Sequence, residues 1–343
     1  MSRETKYFTN EGHPNINASA PSSNPSLTLA YRTFGDAKNS AVILPSCFGG
    51  TLDDTLPFLY TSADDGPSPI LRDYYVIVCT LLGGGESSSP SNAPAAQRGP
   101  NFPAVTYEDN IRLQYALCQA LGVAQLAAYI VFSMGGQQAY HIATLYPDFV
   151  QRIVVLASSA RTSWHNRSFL EGPKAALVNS VGFHDGQYQM PARRGTMAFG
   201  RVFSTWALSQ AWFRRKSWET LGFRDLEAYL QAEWEFTSDA HDLLCQLQTW
   251  QAGDISLFGP EEERGDLAKA LAHSEEEVKH LKNGELRVIE SIWGHIAGGG
   301  VVTKDEDEFI QTEIRRFLHS SSFDSKGFQD ILESGLPAIV PDV

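Results

Sequence analysis

The sequence predicts an α/β fold, a mostly parallel, doubly wound sheet carrying an inserted helical cap. Three observations predict it. Short strand-like runs in the first half are almost wholly apolar and alternate with helical patterns, as strands buried on both faces do. One such run stops abruptly at Ser133 and is followed at once by Gly135, Gly136 and a helix-like segment. Beyond Ala160 strand patterning disappears, and Trp164, Trp206, Trp212, Trp218, Trp234 and Trp250 fall among helical segments instead.

Residues 1–25 are polar, rich in Ser, Asn and Pro, and read as a flexible arm. Leu27 to Phe34 alternates like a strand. Ala41 to Leu44, closed by Pro45, and Tyr74 to Cys79 read as buried strands. From Tyr107 to Leu121 the period becomes helical, with Thr106 as N-cap, Asp109 in the first turn and Gly122 as the stop. Ala127 to Phe132 is the strand into Ser133. Gln137 to Tyr146 is the helix after it, and Gln151 to Ala157 is another buried strand. Strand pattern returns at Leu286 to Ile289, and Phe309, Ile310, Ile314, Phe317 and Leu318 mark an amphipathic closing helix. The expected organisation is a core of 26–160 and 286–318, a cap and acidic connection over 161–285, and a tail over 319–343.

A chain of 343 residues accommodates one large domain with such an insertion, and 43% hydrophobic content fits a well-filled core. A net charge of −13 argues against a nucleic-acid partner and against an anionic membrane surface. No apolar run approaches spanning length. Cys47, Cys79, Cys118 and Cys245 show no paired spacing, and the N-terminus lacks an apolar signal core, so a reduced, cytoplasmic setting is expected.

The run ending at Ser133 has the pattern of a nucleophile elbow, a tight strand-to-helix turn that pushes a hydroxyl out of the sheet. Val131 stands where such turns usually have their first glycine, and a small neighbour must accommodate it. A serine hydroxyl needs a base, and His295 is placed to supply one, on a loop after the last strand pattern and before the closing helix. An oxyanion hole needs two N–H donors. Met134, next after the nucleophile, and Phe48, in the glycine-bearing loop after Leu44, are the candidates. The Gly83–Gly85 loop lacks the Lys-Ser/Thr of a phosphate loop and the spacing of a dinucleotide fingerprint, and no metal-ligand spacing occurs. No cofactor or metal is expected.

Together these residues resemble the homoserine O-acetyltransferase family of α/β-hydrolases, from about Tyr31 to Leu318. The resemblance rests on Phe132-Ser-Met-Gly-Gly-Gln-Gln-Ala139, on Glu86-Ser-Ser-Ser-Pro-Ser-Asn92, on Asp239 to Leu244 with Trp250 to Ser256, and on Ser291-Ile-Trp-Gly-His295. It implies the α/β-hydrolase fold and a ping-pong mechanism through an acyl-enzyme on Ser133, with His295 as base. Two departures matter. The family's homoserine-specific members carry an arginine near the start of the cap that grips the substrate carboxylate. Here Phe169 to Leu177 has only Lys174, which lacks a bidentate fork. The family also places a triad aspartate after a penultimate strand, yet no apolar strand pattern lies between Ser256 and Leu286. Asp266 has a suitable interval to His295, but no strand delivers it.

The resulting expectation is a serine ester hydrolase acting on a small-molecule ester, among relatives that include enzymes of secondary metabolism. The alternative is an O-acetyltransferase that uses acetyl-CoA as donor and a non-homoserine alcohol as acceptor. A third reading is a binding protein that kept the fold and lost the triad. A homodimer is compatible with the sequence.

Overall fold

The computed structural model describes residues 4–9, 26–59, 70–188, 191–257, 284–300 and 303–320. Its strands are β1 (Lys6–Thr9), β2 (Thr28–Phe34), β3 (Ala41–Pro45), β4 (Tyr75–Cys79), β5 (Leu126–Phe132) and β6 (Ile153–Leu156). Among the described residues they form one six-stranded sheet in the order β1-β2-β4-β3-β5-β6. β4, β3, β5 and β6 run parallel, whereas β2 is antiparallel to both β4 and β1. β1 corrects the expectation of a loose arm over 1–25. Its main chain pairs with β2 from Lys6↔Tyr31 to Thr9↔Thr28, which satisfies the β2 edge.

Because side chains alternate along a strand, each central strand feeds two cores. Ile43, Ile77, Tyr129 and Val131 enter one cluster, with Ile111, Leu113 and Leu117 of α1 (Tyr107–Ala120) and Ala139 and Ile142 of α2 (Gly136–Leu145). Val42, Leu44, Val76, Val78, Ala128 and Ile130 enter the other. This opposite face is closed by Leu52, Leu56 and Leu59 and by Ile310, Ile314 and Leu318 of the closing helix (Lys304–His319). α1 starts as expected. The Thr106 hydroxyl accepts from the Asp109 N–H, and the Asp109 carboxylate accepts from the Thr106 N–H, a reciprocal capping box.

Among the described residues the cap comprises α3 (Trp164–Val178), α4 (Arg193–Ala207), α5 (Gln210–Arg214), α6 (Leu226–Glu233) and α7 (Ala240–Gln251); the closing helix is α8. Leu170, Phe199, Phe203, Trp212, Leu247 and Trp250 of the cap share a cluster with Leu81, Tyr107 and Met134 of the sheet domain. Trp164 is the exception, 74% exposed with the Arg167 guanidinium 5.1 Å above its ring.

The expected strand at Leu286 to Ile289 is not one, since residues 284–290 join no ladder. Arg287 pairs with Glu285 and with Glu313 of α8, and Arg316 pairs with the same two carboxylates. These contacts tie the segment to the helix. A cavity of about 170 Å³ lined by β6, residues 285–289 and α8 lies where ladder contact would be needed. β6 accordingly keeps intermediate exposure along its whole apolar length. Residues 258–283, which include Asp266 and the stretch where the sequence shows no penultimate-strand pattern, lie outside the described residues. Among the described residues no helix is long and apolar enough to cross a membrane.

Candidate active site

The sheet order locates the site. β3 lies between β4 and β5, and the chain leaves β3 toward β4 on one side but leaves β5 toward β6 on the other. Loops that depart in opposite directions open a crevice at the carboxyl ends of β3 and β5. Ser133 follows β5, and the Ser46–Gly50 loop follows β3.

Ser133 has φ +56°, a left-handed conformation that a side chain bearing Cβ rarely adopts. Such a conformation costs on the order of 1–3 kcal/mol and persists only where its surroundings over-determine it. They do so here. A Cβ on Gly135 would lie 2.7 Å from the Ser46 carbonyl oxygen, and one on Gly136 would lie 2.3 Å from the Ser158 Cβ. Those two glycines allow the turn to sit against the Ser46 backbone and the Ser158 side chain. Val131 is fully buried in the cluster to which α2 contributes Ala139, a small residue. The Tyr107 hydroxyl donates to the Met134 carbonyl at 2.9 Å and pins the turn from α1.

Ser133 and His295, separated by the entire cap in sequence, meet here. The Ser133 Oγ and His295 Nε2 are 2.6 Å apart. His295 lies on a 3-10 turn, Gly294–Gly299, that packs beside the N-terminal end of α8. Burial pushes its imidazole down to about 4, and no charged group among the described residues counters that shift. The ring is therefore neutral at pH 7, with Nε2 free to accept a proton in the tautomer that carries hydrogen on Nδ1. Glu306 of α8 accepts from the Ser291 hydroxyl at 2.6 Å, and that hydroxyl accepts from the Trp293 N–H at 3.1 Å, fixing the start of the turn.

Phe48 packs against the hydrophobic cluster that contains Met134. Met134 is the second residue of the helical turn opened by Ser133, so its N–H lies among terminal donors with no intrahelical acceptor. The loop carrying Phe48 is braced at several points. Gly49 N–H donates to Gln246 of α7 at 2.8 Å, Gly50 N–H to the Cys47 carbonyl at 3.1 Å, and Leu81 N–H to the Ser46 hydroxyl at 3.0 Å. A buried polar chain reaches the loop from below. The Tyr129 hydroxyl donates to Gln114, Gln114 to Gln138, and Gln138 to the Ser46 carbonyl. Sequence reading missed Gln114, Gln138 and Gln246. Glutamines at helix positions carry no periodic signal, and only the packed structure reveals their partners.

The wall above the serine is aromatic. Trp206 lies 4.4 Å from the His295 ring, Trp250 lies 5.5 Å from Trp206, and Phe203 lies 5.5 Å from Phe48. The Lys174 ammonium pairs with Glu171 at 3.1 Å, one turn away on the exposed face of α3.

Comparison with known proteins places the chain among similar sequences and folds. A family model for the alpha/beta hydrolase fold matches residues 40–252. The ethyl acetate hydrolase of Pseudomonas veronii is 29% identical over 328 residues, covering 87% of this chain and 92% of that protein. A homoserine O-succinyltransferase of Marinobacter nauticus is 30% identical over 326 residues, covering 79% of this chain and 85% of that protein. The solved acetyl esterase MekB has a TM-score of 0.80 at 26% identity, covering 92% of this chain and 97% of that one.

Proposed function

This chain belongs to the alpha/beta hydrolase family, and from that premise we propose that it hydrolyses small-molecule carboxylic esters through an acyl-enzyme on Ser133. One observation carries the reading, the 2.6 Å contact between a left-handed serine and a neutral imidazole. In the proposed reaction Nε2 takes the Ser133 proton as Oγ attacks the ester carbonyl. The oxyanion that forms is bound by the N–H groups of Phe48 and Met134, and the imidazolium returns its proton to the leaving alkoxide. Water, activated by the same nitrogen, then releases the acid. No cofactor takes part in these steps. Asp266 stays the proposed orienting acid, on the sequence interval alone.

The aromatic rings around His295, and the lack of an arginine in Phe169 to Leu177, favour an apolar ester over homoserine, whose ammonium and carboxylate need charged partners. The esterase relatives support the same substrate class. The acyltransferase relatives keep transfer from acetyl-CoA as the arm to test against hydrolysis. Labelling with a fluorophosphonate and turnover of p-nitrophenyl acetate, with and without acetyl-CoA and alcohols, decide the matter. The wild type should be labelled and should release nitrophenol without an added acceptor. The Ser133→Ala variant should lose labelling and about 10⁴- to 10⁶-fold of turnover. Turnover that survives Ser133→Ala refutes the assignment. A wild type that is neither labelled nor active supports a binding protein.

A further inference from the structure

His295 stands on a turn that joins no strand of the sheet, and the cap supports that turn directly. A Cβ on Gly294, whose φ is +68°, would lie 2.7 Å from Ser209 N and 3.1 Å from the Ala207 carbonyl oxygen. The turn is therefore seated against the corner between α4 and α5. The Ser209 hydroxyl donates to the Ile292 carbonyl. From the same corner, the Trp206 ring sits 4.4 Å from the imidazole at an interplanar angle of 45°. Phe132, at the end of β5, sits 5.1 Å from it at 31°. The base of the site is thus held by one ring from the sheet and one from the cap.

We propose that Trp206 is a positioning residue for His295, fixing the imidazole over Ser133 and stabilising with its π face the imidazolium that forms when Ser133 gives up its proton. The proposal rests on the esterase reading and adds to it a second role for the cap, which supports the base as well as walling the substrate. The proton moves from Oγ to Nε2 as the Oγ–carbon bond forms and the carbonyl pair shifts to oxygen. Positive charge on the ring then lies 4.4 Å from the indole, centroid to centroid, at a tilt of 45°, within the distance at which an aromatic ring attracts a cation, and burial strengthens that attraction. Displacing the ring by about 1 Å costs roughly 10²-fold in rate.

The test compares Trp206→Phe, which keeps a π face, with Trp206→Met, which keeps apolar bulk without one. Steady-state constants for p-nitrophenyl acetate and butyrate are measured together with the rate at which a small fluorophosphonate labels Ser133. The Met variant should lower kcat and the labelling rate alike by about 10- to 100-fold, with KM within about 3-fold, and Phe should restore most of the loss. A loss confined to KM, or one that varies with acyl length while labelling keeps its wild-type rate, overturns the proposal and leaves Trp206 as substrate wall only. Circular dichroism checks folding. Should the Met variant not fold, Trp206→Phe alone carries the test, since its smaller ring should slow labelling about 2- to 5-fold and an unchanged rate overturns the idea. Residual turnover in Ser133→Ala would instead defeat the serine reading itself, whatever Trp206 does.

Discussion

Ser133 and His295 share one hydrogen bond but are delivered by two unlike regions. The serine's side is built from central strands whose core residues are fully buried, from glycines tightly packed against Ser46 and Ser158, and from a buried chain of hydroxyl and amide groups. Among the described residues the histidine's side has no strand. It consists of residues 284–290 in irregular conformation, held to α8 by exposed or half-buried ion pairs, and a turn leaning on the cap. Ion pairs of that kind contribute only about 0–1 kcal/mol each. The contrast teaches that the left-handed serine sits in a rigid frame, whereas the His295 ring is flanked by two aromatic side chains, Phe132 and Trp206, on a turn outside the sheet.

The sharpest way to break the comparison is His295→Ala. Turnover should fall by about 10³- to 10⁴-fold, while the unfolding free energy stays within ~1 kcal/mol of wild type, because the residue is only partly buried and the core contacts of the turn come from Trp293 and Ala297 instead. A large loss of stability, read by urea unfolding, would mean that the histidine's side is also part of the frame. Gly135→Ala should do the reverse. Its Cβ meets the Ser46 carbonyl at 2.7 Å, so both activity and stability should drop, by about 10²-fold and roughly 2–3 kcal/mol.

Tyr129→Phe sharpens the picture further. It leaves Gln114 Oε1 without the donor it has now, in a fully buried place, at a cost of about 1–3 kcal/mol, with turnover within about 3-fold. The smallest effect expected is with pH. Because burial holds His295 near 4, the ring stays neutral well below 6, so kcat/KM should be flat from neutral pH down to about 5. It should then fall as the ring gains a proton near about 4. An inflection near the ordinary histidine value would show that water reaches the imidazole in solution.

Much of the serine's side was legible beforehand. The apolar run into Ser133, the paired glycines and the Thr106–Asp109 capping box are local signals, set by backbone sterics and hydrogen bonds within a few residues. The histidine's side was legible only as a position. Leu286 to Ile289 has strand composition, but composition does not provide a partner edge, and here the segment is tied to α8 instead. Lys6 to Thr9 failed in the other direction, since a polar arm still forms a strand when the β2 edge offers main-chain partners.

By itself the sequence determined the alternating cores, the turn at Ser133 and the late histidine, because these follow from short-range preferences and periodicity. Tertiary structure alone decided that Gln246 braces the Gly49 amide, that Tyr129, Gln114 and Gln138 form one buried chain, and that Trp206 rather than another cap tryptophan faces His295. Such contacts join residues far apart in the chain, and their distances depend on how whole helices settle on the sheet, which no local pattern encodes.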